Sequence, residues 1–86
     1  MKIVYTRHVE EKLLALRKEG WFIAKKKIRE MIKDPRWAGI TRYNQETIIG
    51  LLDEKHILRA VLDKKNDIIK VITFHIGRRG RYESTL

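Results

Sequence analysis

Apolar residues recur along the first part of the chain with a helical period. Val9, Leu13 and Leu16 stand at i, i+4 and i+7, the spacing that lines one face of an α-helix. Thr6 precedes them, where its hydroxyl can cap the first turn, and Gly20 supplies the left-handed residue that ends the helix. A second stripe follows. Ile23, Ala24, Ile28, Met31 and Ile32 fall on one helical face, while Lys25, Lys26, Lys27, Arg29, Glu30 and Lys33 cover the rest. Asp34-Pro35 stops this helix, because a residue before proline is driven out of helical geometry. Ahead of both helices, Lys2-Ile3-Val4-Tyr5 reads as a short strand.

From residue 40 onward the period changes to two, and three further strands are predicted: Thr47 to Asp53, His56 to Asp63 and Asp67 to Ile76. The polar breaks Asp53-Glu54-Lys55 and Lys64-Lys65-Asn66 are far too short for a parallel crossover, so these strands should form an antiparallel meander. The expected fold class is α+β in the order β-α-α-β-β-β, with two N-terminal helices packed on one face of a twisted antiparallel sheet. There is no internal repeat, low-complexity segment or linker, and 86 residues suit one domain over 1–86.

Strand parity then sorts the side chains. In the last strand Ile68, Ile72, Phe74 and Ile76 are expected under the helices, with Lys70 an exception, and Ile69, Val71, Thr73 and His75 on the other face. In the preceding strand Leu58, Ala60 and Leu62 make the core face, which leaves Ile57, Arg59 and Val61 opposite. Arg59, Thr73 and His75 should therefore share the uncovered face, beside the basic segment Gly77-Arg78-Arg79-Gly80-Arg81-Tyr82.

Charge gives that face a meaning. The chain carries 20 Lys+Arg against 11 Asp+Glu, a formal net charge of +9, which favours a polyanionic partner, nucleic acid or an acidic protein. It has no cysteine, so disulfides, thiolate zinc sites and thiol catalysis are excluded. His8, His56 and His75 lack ligand spacing, so no metal or cofactor is expected. No apolar run approaches a membrane span and the N-terminus turns polar too early for a signal peptide, so no membrane partner is expected and the cytoplasm is the default location.

These residue types fit phosphodiester chemistry. Cleavage of RNA by its own 2′-hydroxyl needs a base, an acid for the departing 5′-oxygen, and cations for the charged phosphorane. His8, His75 and Tyr82 can move protons, while Arg59 and Arg81 can hold the phosphate bidentately. Arg7, Lys26, Arg78 and Arg79 are candidates for contacts along the RNA backbone.

The opening Tyr5-Thr6-Arg7-His8, the Gly20 break, Asp34-Pro35, Arg59 inside a strand, Val71-Ile72-Thr73 in the next and Arg81-Tyr82 at the close resemble a small family within the RelE/ParE toxin-like superfamily. The resemblance implies the same two-helix, one-sheet fold. It implies a toxin of a type II toxin–antitoxin pair, most often an endoribonuclease acting on messenger RNA, sometimes on the ribosome, and silenced by an acidic antitoxin. By position, the family's histidine after the first strand corresponds to His8, its strand arginine to Arg59, and its C-terminal pair to Arg81 and Tyr82. Trp21-Phe22-Ile23-Ala24 departs from the small polar cap usual after the glycine.

Each candidate also has a plain structural reading. His8 can serve a neighbouring backbone group, His75 can be a solvated strand residue, Arg59 can pair with a carboxylate, and Tyr82 can cover the core's edge. Lys25, Lys26 and Lys27 suit a solvated helix face, and Trp21 and Trp37 suit core positions at helix junctions before they suit base stacking. The alternative to a ribonuclease is a non-catalytic basic module of the same fold that binds nucleic acid, gyrase or an acidic protein.

Overall fold

The structure, a computed structural model, describes residues 2–80; the expectations for Arg81 and Tyr82 lie outside the described residues. The elements run β1 (Lys2–Tyr5), α1 (Arg7–Lys18), α2 (Lys25–Lys33), β2 (Trp37–Ile40), β3 (Glu46–Leu51), β4 (His56–Lys65) and β5 (Ile68–Arg78). The fold is α+β, with one sheet in the order β1-β5-β4-β3-β2.

Two features correct the expected topology. A further strand, β2, pairs antiparallel with β3. It is only four residues long and has Gly39 in its interior, too short a run to show a strand period before β3 is there to pair with it. The sheet is also mixed, because β1 runs parallel to β5, with Lys2 opposite Ile68 and Tyr5 opposite Val71. The short-loop argument holds for β3, β4 and β5, which are antiparallel. It says nothing of β1, whose path to β5 passes through every other element and easily supplies the crossover a parallel pair needs.

The helix ends behave as the residue chemistry dictates. Thr6 Oγ1 accepts from the Val9 amide at 3.2 Å, and Gly20 adopts φ +94° beyond the end of α1. In the β4–β5 turn Asn66 takes φ +57°, and Asn44 takes φ +61° in the β2–β3 loop; asparagine tolerates this region better than other side chains. At the β3–β4 turn Asp53 Oδ1 accepts from the Lys55 and His56 amides, each at 2.8 Å.

The core lies between the helices and one sheet face, where Val9, Ile28, Met31 and Ile32 meet Ile48, Leu58, Ala60, Leu62, Ile69, Val71 and Phe74. α2 approaches β3 closely at Gly50, where an added Cβ would stand 2.5 Å from Met31 Cγ and 2.9 Å from its sulfur. Only a residue without a side chain lets that helix seat. Among the described residues, no helix is long and apolar enough to cross a membrane.

A bulge in β5 corrects the parity reading. Val61 pairs with Thr73 but Leu62 pairs with Val71, so Ile72 is an extra residue and the strand's phase shifts there. Before the bulge Ile69 and Val71 are buried against the helices; after it, Phe74 is. Ile68 and Ile72, expected in the core, are instead exposed and half-buried respectively. Lys70, exposed beside Ile69 and Val71, is then no exception. Thr6 holds this irregularity in place, donating from Oγ1 to the Ile72 carbonyl at 3.0 Å and from its amide to Val71 O at 3.2 Å.

Candidate functional site

Strand register assembles the face turned away from the helices. Trp37 lies opposite Ile49, Ile49 opposite Arg59, and Arg59 opposite His75, a single row crossing four strands. Beside it runs a second row, Gly39, Thr47, Val61 and Thr73. The expectation that Arg59, Thr73 and His75 share this face agrees with the register, and Arg59 and His75 are direct cross-strand partners.

Thr47 is a functional neighbour that sequence reasoning missed. It is buried, 5% exposed. Its hydroxyl accepts from Arg59 Nε at 3.1 Å and donates to the Ala60 carbonyl at 3.3 Å. One hydroxyl thus takes the guanidinium's Nε–H, a bond that does not use its terminal amines. The signal was the alternation of Thr47 with Ile48 and Ile49, but only the β3–β4 register makes it a partner of Arg59.

The described ion pairs join Arg7 to Glu11, Lys25 to Glu10, His56 to Asp53 and Lys64 to Glu46. Among the described residues Arg59 has no carboxylate partner. Guanidinium groups bind phosphate bidentately, so Arg59 has the chemistry to hold an external anion.

His75 is half-buried, and its pKa lies below the usual 6.5, first because burial disfavours the charged ring, then because the Arg59 and Lys12 charges repel a proton. Lys12 reaches it from α1, along the stretch of β5 that extends past β1, and its ammonium also lies 5.6 Å from the Phe74 ring centroid. The imidazole is therefore neutral at physiological pH, the form that can accept a proton.

The remaining candidates are dispersed. His8 is exposed on the first turn of α1. Arg7 is exposed and bonded to Glu11 at 3.1 Å, and Lys26 is exposed at the start of α2. Arg78 is exposed opposite His56 at the far end of β4, and the Arg79 amide donates to Lys55 O at 2.9 Å. His56 itself is structural: its Nδ1 lies 3.0 Å from Asp53 Oδ1, and its ring meets Trp21 edge-on at 4.9 Å. The turn bonds from the Lys55 amide and from His56 hold the Asp53 carboxyl below its ordinary pKa. Trp37, the likelier exception of the two tryptophans to a core position, stands on the face away from the helices, half-buried in β2 and not in a loop, with the Arg36 guanidinium 5.5 Å from its ring centroid.

Among the described residues no group of three or more metal-binding side chains forms. Compared with known proteins, the chain matches no family model, no curated protein and no solved structure.

Proposed function

We propose that this protein is a RelE-like, metal-independent endoribonuclease, the toxin of a type II toxin–antitoxin pair, acting in the cytoplasm on messenger RNA. The observation that carries the reading is the cross-strand pairing of Arg59 with His75 on the face away from the helices. Arg59, oriented by Thr47, holds the scissile phosphate and stabilises the charge that grows on it. His75, neutral at physiological pH, takes the proton from the 2′-hydroxyl. The 2′-oxygen bonds to phosphorus, the bond to the 5′-oxygen breaks, and the products are a 2′,3′-cyclic phosphate and a 5′-hydroxyl that receives a proton. The family resemblance assigns His8 and Tyr82 as proton carriers and Arg81 as the second phosphate ligand. Arg59 and His75, direct cross-strand partners, are the residues on which the proposal rests.

The excess of basic over acidic residues, net +9, suits both RNA and an acidic antitoxin. The test is controlled expression in a bacterial host of the parent, Arg59→Ala and Arg81→Ala chains, following growth and RNA integrity. Growth arrest with RNA cleavage, lost in folded Arg59→Ala, is the expected result. Arrest with intact RNA would replace this reading with that of a non-catalytic module binding nucleic acid or gyrase. Harmless expression of folded parent chain would leave docking to an acidic protein.

A further inference from the structure

On the helix side of the sheet a hollow of about 330 Å³ opens between the edge strand β1 and the start of α2, lined by Ile3, Tyr5, Lys25, Lys26 and Arg29. Ile3 and Tyr5 alternate onto this side of β1, opposite Ile69 and Val71, and both pack against the core. Lys26 and Arg29 stand three apart on α2, neighbours on one helical face, and both are exposed. Lys25 is held from two directions. Its ammonium pairs with Glu10 of α1 and lies 4.9 Å from the Tyr5 ring centroid, while its carbonyl accepts from the Tyr5 hydroxyl at 3.4 Å. Three cations therefore line one concavity. Burial raises the Tyr5 pKa above its ordinary value, against the Lys25 and Arg29 charges that also reach the ring, so the hydroxyl stays neutral and puts no negative charge into the hollow.

We infer that this hollow binds a small organic phosphomonoester, its phosphate held by Lys26 and Arg29 beside Lys25 and its carbon body lying against Ile3 and Tyr5. A phosphomonoester carries about −1.5 to −2 at neutral pH, which suits three cations of which one is shared with Glu10; an internal phosphodiester carries a single charge. Arginine takes two phosphate oxygens at once, and lysine adds a point charge without fixed geometry. The volume falls within the range of about 300–1,000 Å³ usual for small-molecule sites, and the pairing of an apolar wall with a few charged groups is their common composition. The helices cover the sheet face opposite to the one that carries Arg59 and His75, so this site is separate from the proposed ribonuclease site and does not depend on it.

The test is an NMR titration of the whole chain at constant ionic strength with ribose 5-phosphate, with inorganic phosphate, and with a 2′-O-methylated dinucleotide whose one phosphate is a diester. Ribose 5-phosphate should give saturable shifts at the amides of Tyr5, Lys26 and Arg29 and none at Arg59 or His75. Inorganic phosphate should shift the same amides with weaker affinity, because it lacks the carbon body, and the dinucleotide should bind more weakly than ribose 5-phosphate. Arg29→Gln and Lys26→Gln replace exposed side chains, and each should weaken ribose 5-phosphate by about tenfold or more, the size of one charge-assisted hydrogen bond. Lys18→Gln removes an exposed cation at the end of α1, outside the hollow, and should change nothing. Shifts spread over the basic surface, no saturation, or unaltered affinity in both Arg29→Gln and Lys26→Gln overturns the inference. Equal or tighter binding of the dinucleotide overturns it too, and makes the hollow a contact for a nucleic-acid backbone. None of these readouts requires RNA cleavage, so a chain that leaves RNA intact yet binds ribose 5-phosphate here would lose the nuclease reading and keep this site.

Discussion

At the scale of single residues, Arg59 acts on His75. The Arg59 charge is the second cause, after burial, of the low His75 pKa, so Arg59→Gln should raise that pKa. It should remain below 6.5, because the burial is unchanged; titration of the ring by NMR reads both points, and an unmoved pKa would separate the two residues. The same shift fixes a pH dependence of stability. In the unfolded chain the imidazole titrates near its usual 6.5, while in the folded chain it takes its proton only at lower pH. This group's effect is nil above 6.5, and its protonation in the unfolded state removes stability as the pH falls from there towards the folded value. Arg59→Gln should reduce that loss. That these two residues share a face was legible from alternation; that they stand opposite one another was not, since this depends on the β4–β5 register. Thr47 was not, since its hydroxyl becomes relevant only when β3 and β4 are set in register. Gly50 was equally silent: nothing local distinguishes it from a weak strand position, and its role appears only when Met31 is placed over it. Gly50→Ala should cost about 1–3 kcal/mol in chemical denaturation, the range for overpacking a filled core.

At the scale of elements, one threonine ties two of them together. Thr6 caps α1 through Val9 N and fixes the bulge through Ile72 O, and the bulge sets the phase that turns Thr73 and His75 outward and Phe74 inward. Thr6→Val keeps the shape and loses both bonds. It should destabilise the fold by about 1–2 kcal/mol, a cap's worth or somewhat more, and raise amide exchange around Ile72, whereas Thr6→Ser should restore most of both. An effect confined to α1 would mean that the bulge holds itself. The helices and the three long strands could be read from periodicity because each buries one face. The bulge could not: Ile68-Ile69 and Val71-Ile72 offer apolar residues in either phase, and the choice is made by the neighbouring chain. β2 escaped for the opposite reason, being four residues long with a glycine inside, too short to show a period before β3 is present to pair with it.

At the scale of the whole molecule, the parallel pairing of β1 with β5 joins the two ends of the described chain, which no local pattern announces. It also sets α1 against β5, close enough for the Lys12 charge to act on His75. The net charge of +9 makes RNA binding strongly salt-dependent, and each phosphate contact contributes about 0.7 to the slope of log affinity against log salt for a single strand. Arg59→Ala should reduce that slope by about that amount; an unchanged slope would place the phosphate elsewhere. The most direct test of the central claim is to incubate the purified chain with single-stranded RNA in chelator and to identify the ends of any fragments. The account predicts fragments ending in 2′,3′-cyclic phosphate and 5′-hydroxyl, absent with folded Arg59→Ala. Intact RNA, or cleavage that survives the loss of Arg59, would contradict it.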